Sequence, residues 1–263
     1  MVKIGILGCG GRMGRANIQA ALMDNLVEIV ALWEADNSHL LGKDFSDFGI
    51  EAPGKVSVFP QDVDKVDVII DFTSPKASLQ MLKQALIHKK GVVIGTTGFS
   101  DDEKQQIVSA SREIPIGFAP NMSLGVNMLF ELLKKAVASL PEEYEVEIIE
   151  AHHHHKKDSP SGTAMRLWEI VKDGRNLSDK HLICGREGII GPRRPNEVGM
   201  HSIRCADIVG EHTVIMAVEG ERIELGHKAS SRLAFAKGAI KAAVFCSSKQ
   251  SGLYDMRDVL GLA

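Results

Sequence analysis

Aromatic residues are scarce in this 263-residue chain: two Trp, two Tyr and nine Phe make up 5% of it. Any core must be built mainly from aliphatic side chains. Cysteine is scarcer still, with Cys9, Cys184, Cys205 and Cys246 scattered and no CxxC pair among them. That argues against a disulfide framework and suits a reducing compartment. No excess of positive charge exists either, since the net charge is -3 and the pI is near 6.4. No basic stripe offers itself to nucleic acid. No apolar run approaches the roughly 20 residues that span a bilayer, and MVKIGILGCG turns straight from a strand into a glycine turn, without the pattern of a signal peptide. The expectation is a cytoplasmic protein with no membrane partner. The length suits one large domain or two of ordinary size.

What is present begins with a short β-rich apolar run over 2–7, followed by Gly8-Cys9-Gly10-Gly11-Arg12-Met13-Gly14 and a helical pattern from Arg15. A buried strand, a glycine turn and a helix N-terminus make an anion site, because unpaired N–H groups and the helix dipole both point at a phosphate. The spacing departs from G-x-G-x-x-G, and a glycine cluster alone also makes ordinary turns. The next strand, 27–32, ends in Trp33 and Glu34. Glu34 lies about 20 positions beyond the turn, where dinucleotide-binding folds hold the adenine ribose. Strand and helix patterns then alternate: 66–71, 75–88, 91–95, 101–112 and 114–118. Such alternation predicts an α/β fold with a Rossmann-type, doubly wound parallel sheet, whose ligands sit beyond the carboxyl ends of the strands. That rule singles out Phe72-Thr73, Gly95-Thr96-Thr97-Gly98 and Ala119-Pro120-Asn121-Met122 as cofactor-lining loops.

After Asn121 the pattern changes. A long helix over 125–140 leads into a strand that ends in four consecutive histidines, and another helix begins near Ser161. Three β-like runs, 201–208, 212–219 and 222–228, follow with short connections that predict antiparallel hairpins at 209–211 and 220–221. The second half is therefore expected to be an α+β domain with a mixed, mostly antiparallel sheet. We place the boundaries at 1–122 for the dinucleotide-binding domain and 123–233 for a substrate-binding and oligomerisation domain, leaving open whether 234–263 returns to the first.

The segment EAHHHHKKDSPSGT over 150–163 concentrates the titratable chemistry. It continues the apolar alternation of 144–150, so it belongs to the fold. On an extended chain His152 and His154 would face one side and His153 and His155 the other, so at most two could converge on a metal, and Lys156 and Lys157 would repel it. No metal is expected. A solvated polar loop is the plain alternative. For chemistry, Ser161-Gly162-Thr163 at a helix start offers N–H donors to an anion, Lys156 and Lys157 add positive charge, and a histidine near neutrality can transfer a proton. His227, Lys228 and Arg232 are further candidates for substrate contact or for a salt-bridged domain boundary.

GCGGRMG at 8–14, DFT at 71–73, GTTG at 95–98, EAHHHHKKDSPSGTA at 150–164, ADIVGEHT at 206–213 and HKASSR at 227–232 together resemble the 4-hydroxy-tetrahydrodipicolinate reductase family, long called dihydrodipicolinate reductase. The likeness runs in order along essentially the whole chain, and the histidine-to-SGT block is its most diagnostic part. It implies NADH- or NADPH-dependent reduction of a cyclic unsaturated dicarboxylate in the diaminopimelate route to lysine, and a homotetramer whose second domains join their sheets. It implies that His152 is the catalytic acid/base, that Lys156 is a proton donor, and that His153, Gly162 and Thr163 contact substrate. The cofactor would rest on Gly8, Cys9, Gly10, Gly11, Arg12, Met13, Glu34, Gly95, Thr96, Thr97, Ala119, Pro120, Asn121 and Met122. His154 stands where a relative can carry arginine, and Ala35 follows Glu34 where some members carry an arginine for the NADPH 2′-phosphate; Glu34 favours NADH. Two other readings stay open. One is a different nicotinamide oxidoreductase acting on a small carbonyl or imine, although Cys184 and Cys205 lack convincing neighbours for a semialdehyde-type thiol. The other is a non-catalytic NAD(P) sensor, which would not need the His-Lys block.

Overall fold

The computed structural model describes residues 1–262, and its contacts divide the chain into two compact units: residues 1–124 with the segment from Arg232 onward, and Gly125–Ser231.

In the first unit, β1 (Val2–Leu7), β2 (Val27–Glu34), β3 (Ser57–Val58), β4 (Val68–Asp71), β5 (Gly91–Ile94), β6 (Pro115–Phe118) and β12 (Gly252–Tyr254) form a parallel sheet in the order β12-β6-β5-β4-β1-β2-β3. β4 and β5 are buried at every position, as strands covered on both faces must be. The order reverses between β1 and β4, and the loops after those two strands flank the switch point where such sheets bind ligands. Helix α2 (Pro75–Ile87) starts with Ser74 accepting from the Ala77 N–H and Pro at its first position. Helix α3 (Asp101–Ala110) starts with a Ser100/Glu103 capping box.

The predicted helix from Arg15 in fact begins three residues earlier, as α1 (Arg12–Leu22). Arg12 and Met13 are therefore its first turn. Gly14 lies inside the helix, and it must be glycine because a Cβ there would meet the Gly8 carbonyl and the Cys9 backbone. The sequence left the fate of the C-terminal segment open. It belongs to the first unit: α6 (Leu233–Ser247) buries Ala236, Ala239, Ile240, Ala242, Ala243 and Cys246 against the same core as α1, and β12 extends the sheet. Gly238 lets α6 approach the Met122 carbonyl. A short helix, α7 (Met256–Leu260), follows β12.

In the second unit, α4 (Leu124–Ser139) and α5 (Gly162–Gly174) cover one face of a five-stranded sheet ordered β11-β10-β7-β9-β8. Its strands are β7 (Glu145–His152), β8 (Leu182–Cys184), β9 (Val198–Arg204), β10 (Gly210–Val218) and β11 (Glu221–Ala229). Trp168, Leu133, Val146, Ile148, Met200, Val214 and Met216 fill the core between them. The hairpin expected at 220–221 is present, joining antiparallel β10 and β11. The hairpin expected at 209–211 is not formed. β9 pairs parallel with β7, and β10 pairs antiparallel with the opposite edge of β7, so β7 is the middle strand. The sheet is evenly mixed, with two antiparallel and two parallel pairings.

On its face away from the helices, Glu147 of β7 faces Gly199 of β9, where any Cβ would strike its carboxylate. Arg186 grips that carboxylate in bidentate fashion at 2.9 and 3.0 Å, His201 Nε2 lies at 2.6 Å, and Arg193 donates to it as well. Burial pushes the Glu147 pKa up, but these three partners bring it down to about 2. A carboxyl near 4.5 when unfolded and near 2 when folded stabilises the fold above pH 4.5 and loses that effect as the pH falls from 4.5 toward 2. Glu147→Gln should therefore lower the melting temperature at pH 7, and the gap from wild type should narrow between pH 5 and pH 3. A gap independent of pH would contradict this account.

Candidate active site

The residues expected to hold a nucleotide gather at the carboxyl ends of β1, β2, β4, β5 and β6. Gly8 has φ +72 and sits under the Thr73 methyl, a conformation and a proximity that both call for glycine. Gly11 is the N-cap of α1, with no side chain capping it and no acid in the first turn, which leaves the helix start to an anion. Glu34, the last residue of β2, accepts a 2.5 Å hydrogen bond from the Gly10 N–H. Cys9 is buried, and burial pushes its thiol up to about 12, so it is packing and not a nucleophile.

Asp71 ties these loops together from below. It is fully buried at the end of β4 and accepts from the Thr73 hydroxyl at 2.6 Å, the Thr73 N–H at 3.1 Å, the Thr96 hydroxyl at 3.3 Å and the Ser78 hydroxyl. Burial raises its pKa, and these neutral donors only partly offset the rise. Thr96 also accepts from the Thr73 N–H at 2.8 Å, so the loops after β4 and β5 move as one. Gly95 leaves room for the Phe72 ring. Thr97 and Pro120 are exposed, Ala119 and Met122 are buried, and Asn121 Oδ1 accepts from the Ser123 N–H at 2.9 Å. These features fit a dinucleotide: a glycine turn at a free helix start, a carboxylate at ribose distance in sequence, and polar loops along one sheet edge.

In the second unit, β7 ends at His152 and the chain then turns. The alternation expected for four extended histidines therefore stops at His153. His154 and His155 lie together in an exposed turn with their Nε2 atoms 2.8 Å apart. Among the described residues, no group of three or more His, Cys, Asp or Glu is placed to hold a metal ion. The turn brings Lys156 back, its ammonium 2.9 Å from Asp158. The Ser161 N–H donates to Glu150 Oε1 at 3.2 Å, which fixes the start of α5, with Gly162 and Thr163 in its first turn, beside the end of β7.

Four residues that sequence reasoning assigned no role complete this cluster. Glu150 has no exposed surface and is gripped by Arg204 of β9 at 2.8 and 2.9 Å. Its Oε2 lies 2.5 Å from His152 Nδ1. Burial pushes the Glu150 pKa up, but Arg204, Ser202 and His152 bring it down to about 2. Burial lowers the His152 pKa, Glu150 opposes that, and Lys156 and Arg204 add to it. His212 of β10 packs edge-on against His152 with ring centroids 5.2 Å apart, and its Nε2 lies 3.1 Å from the Ser161 hydroxyl. Burial brings the His212 pKa down to about 3, so it is neutral at pH 7, and its Nδ1 is buried with no hydrogen-bond partner among the described residues. Gly210 is the fourth, since a Cβ there would stand 3.1 Å from His152 Nε2. Glu150 opened the histidine segment and His212 lay within ADIVGEHT, but β7 as middle strand, which joins them, has no local sequence signal. Of the further candidates, His227 lies opposite His212 on β11 and Lys228 reaches Glu211 at 3.4 Å, whereas Arg232 begins the return to the first unit.

A Rossmann-type sheet and a second unit bearing a His-Lys cluster at a helix start define a nicotinamide-dependent oxidoreductase. Two family models match, "dihydrodipicolinate reductase, N-terminus" over residues 2–122 and "dihydrodipicolinate reductase, C-terminus" over 125–260. The chain belongs to the dihydrodipicolinate reductase family. It is similar to 4-hydroxy-tetrahydrodipicolinate reductases of Hahella chejuensis, 48% identical with all of both chains covered, and of Methylococcus capsulatus, 48% identical over all of this chain and 99% of the other. Among solved structures it resembles a dipicolinate-bound dihydrodipicolinate reductase from Paenisporosarcina, at 25% identity and a TM-score of 0.75, with 97% of each chain covered.

Ser161 caps α5 through the Ala164 N–H and also meets His212 Nε2. Ser161→Ala should lower the unfolding free energy by about 1–3 kcal/mol, the sum of a lost N-cap and a buried imidazole left unpaired. Urea unfolding measures it, and a loss under about 0.5 kcal/mol would show that neither bond matters.

Proposed function

We propose that this chain reduces the cyclic dihydrodipicolinate-type dicarboxylate formed from 4-hydroxy-tetrahydrodipicolinate to tetrahydrodipicolinate, on the diaminopimelate route to lysine. The observation that carries this reading is the convergence of His152, Lys156 and the start of α5. A dicarboxylate calls for N–H donors and a cation. Gly162 and Thr163 supply the donors, His153 is a further substrate contact, and Lys156 supplies the cation by exchanging Asp158 for a substrate carboxylate. Bound NADH or NADPH supplies the hydride, on Gly8, Cys9, Gly10, Gly11, Arg12, Met13, Glu34, Gly95, Thr96, Thr97, Ala119, Pro120, Asn121 and Met122. Hydride addition to a conjugated imine leaves an electron-rich enamine that must gain a proton. His152 and Lys156 are the acids in reach of that task. The relatives' shared activity and the dipicolinate in the Paenisporosarcina structure support the same substrate class.

Assembly and location complete the proposal. Ile149, Ile203 and Ile215 lie on the sheet face opposite α4 and α5, and Ile203 is 47% exposed. These isoleucines, beside the paired charges around Glu147 on the same face, support a homotetramer joined through the second units. Four free cysteines, two of them exposed, support a reducing, cytoplasmic setting.

NADH should serve at least as well as NADPH. Glu34 can accept from both ribose hydroxyls but repels a 2′-phosphate, and Ala35 offers no guanidinium to compensate, which leaves Arg12 in the first turn of α1 and Arg15, which donates to the Gly10 carbonyl at 3.1 Å, as the cations of the glycine turn. The ratio of kcat/KM for the two cofactors measures this, and a strong preference for NADPH would contradict it.

His152→Ala and Lys156→Ala should each lower kcat by roughly 10²- to 10⁴-fold, the range for losing a general acid or base, with the KM for NADH near normal. Lys156→Ala should also raise the KM for the dicarboxylate. His154→Ala and His155→Ala should do far less, since both side chains stand in the exposed turn. Loss of NADH absorbance with freshly generated pathway substrate is the readout. Folded variants at 152 and 156 that keep near wild-type turnover would overturn the assignment, and no turnover by the wild type would favour another oxidoreductase or a sensor.

A further inference from the structure

The fully buried Glu150 carboxylate has no place in the proposed chemistry, yet it is bonded to the side chain most central to it. Its two oxygens accept from Arg204 at 2.8 and 2.9 Å and from the Ser161 N–H, and Oε2 lies 2.5 Å from His152 Nδ1. A carboxylate in a bidentate guanidinium pair is an acceptor only, so the hydrogen between Oε2 and Nδ1 belongs to the histidine. The other ring nitrogen, Nε2, faces Gly210, whose missing Cβ leaves it room. Arg204 also donates to the Asp158 carbonyl at 2.8 Å, and Asp158 pairs with Lys156. One ion pair thus holds both the end of β7 and the turn that carries Lys156.

We infer that Glu150 and Arg204 are positioning residues for the reaction: Glu150 fixes His152 with its proton on Nδ1, leaving Nε2 to exchange a proton with substrate, and Arg204 holds that carboxylate in place through its two hydrogen bonds. The inference rests on His152 being the acid/base. In the step itself the imidazolium gives its Nε2 proton to the substrate anion, the Nε2–H electron pair stays on nitrogen, and the neutral ring keeps its Nδ1–H, which donates to Glu150. Glu150 stabilises the imidazolium before the transfer. The charged and titratable groups facing His152 are Glu150 on its own strand, Lys156 after it, Arg204 on β9 and His212 on β10, with His227 beyond His212. Of these Glu150 favours the imidazolium, whereas Lys156 and Arg204 disfavour it.

That opposition gives the test. In the full-length enzyme, kcat and kcat/KM are measured against pH for wild type, Glu150→Gln, Arg204→Gln and His152→Ala, after circular dichroism has shown each to be folded. Glu150→Gln should lower kcat roughly 10- to 100-fold, as losing an outer-shell partner of a functional histidine does, leave the KM for NADH unchanged, and move the limb assigned to His152 toward lower pH. Arg204→Gln should move the same limb toward higher pH. A merely structural pair would move neither limb, or both in one direction, and either result overturns the inference. If Glu150→Gln does not fold, the Arg204→Gln profile decides alone: a shift to higher pH supports the inference, and no shift or a shift to lower pH overturns it. His152→Ala separates the two readings. If it loses turnover and the limb while the other variants behave as wild type, positioning fails and the site stands; if it keeps turnover, the site reading fails first.

Discussion

Moving a carboxylate out of water costs several kcal/mol unless its lone pairs find donors, and in the second unit that requirement falls on Glu150. Its partners come from three separate elements: Arg204 from β9, the Ser161 N–H from the start of α5, and His152 from the end of its own strand. Each of these segments that shifts takes from the buried carboxylate a donor it needs, and a shift of β9 would take its only guanidinium partner among the described residues. The end of β7, the turn to Lys156 and the start of α5 are therefore fixed relative to one another by the Glu150–Arg204 pair.

The first unit uses the same device with a different electrostatic outcome. Asp71 is as buried as Glu150, and it likewise gathers loops from neighbouring strands. Its donors are hydroxyls and an N–H, with no guanidinium among them, so burial raises its pKa where Arg204 and its neighbours bring that of Glu150 down to about 2. The distinction suits their surroundings. In the proposed reaction a carboxylate under the cofactor loops need only hold hydroxyls in place, whereas one touching the proposed acid/base histidine must keep its charge and take no proton from it. His212 adds to the second site without adding charge, because burial keeps it neutral against the face of His152.

Much of this was legible in the sequence because it is written in short-range patterns. The strand and glycine turn at 2–14, the paired buried strands at 68–71 and 91–94, and the run from Glu150 to Thr163 each announce themselves within a dozen residues. What escaped depended on long-range pairing. The short link at 209–211 looked like a hairpin, but β9 lies along one edge of β7, with His201 bonded to Glu147 on one face and Arg204 to Glu150 on the other, and β10 takes the other edge. Arg204 stands 54 residues from Glu150, and no local period relates them. The start of α1 was misplaced for a similar reason: Gly14 read as the end of the glycine turn, although it is a helical residue kept small by the Gly8 carbonyl. His154 and His155 were assigned alternating directions that hold only for extended chain, and the strand ends at His152.

The most direct measurement is the protonation pattern of His152 itself. In ¹⁵N-histidine-labelled enzyme at a pH above the titration of His152, with its signals assigned by their loss in His152→Gln, the two ring nitrogens report which carries hydrogen. The account predicts a protonated Nδ1 and a bare Nε2, the pattern imposed by an ionised Glu150. A proton found on Nε2 with Nδ1 bare would mean that the carboxylate is not the acceptor, and would contradict the account at its centre.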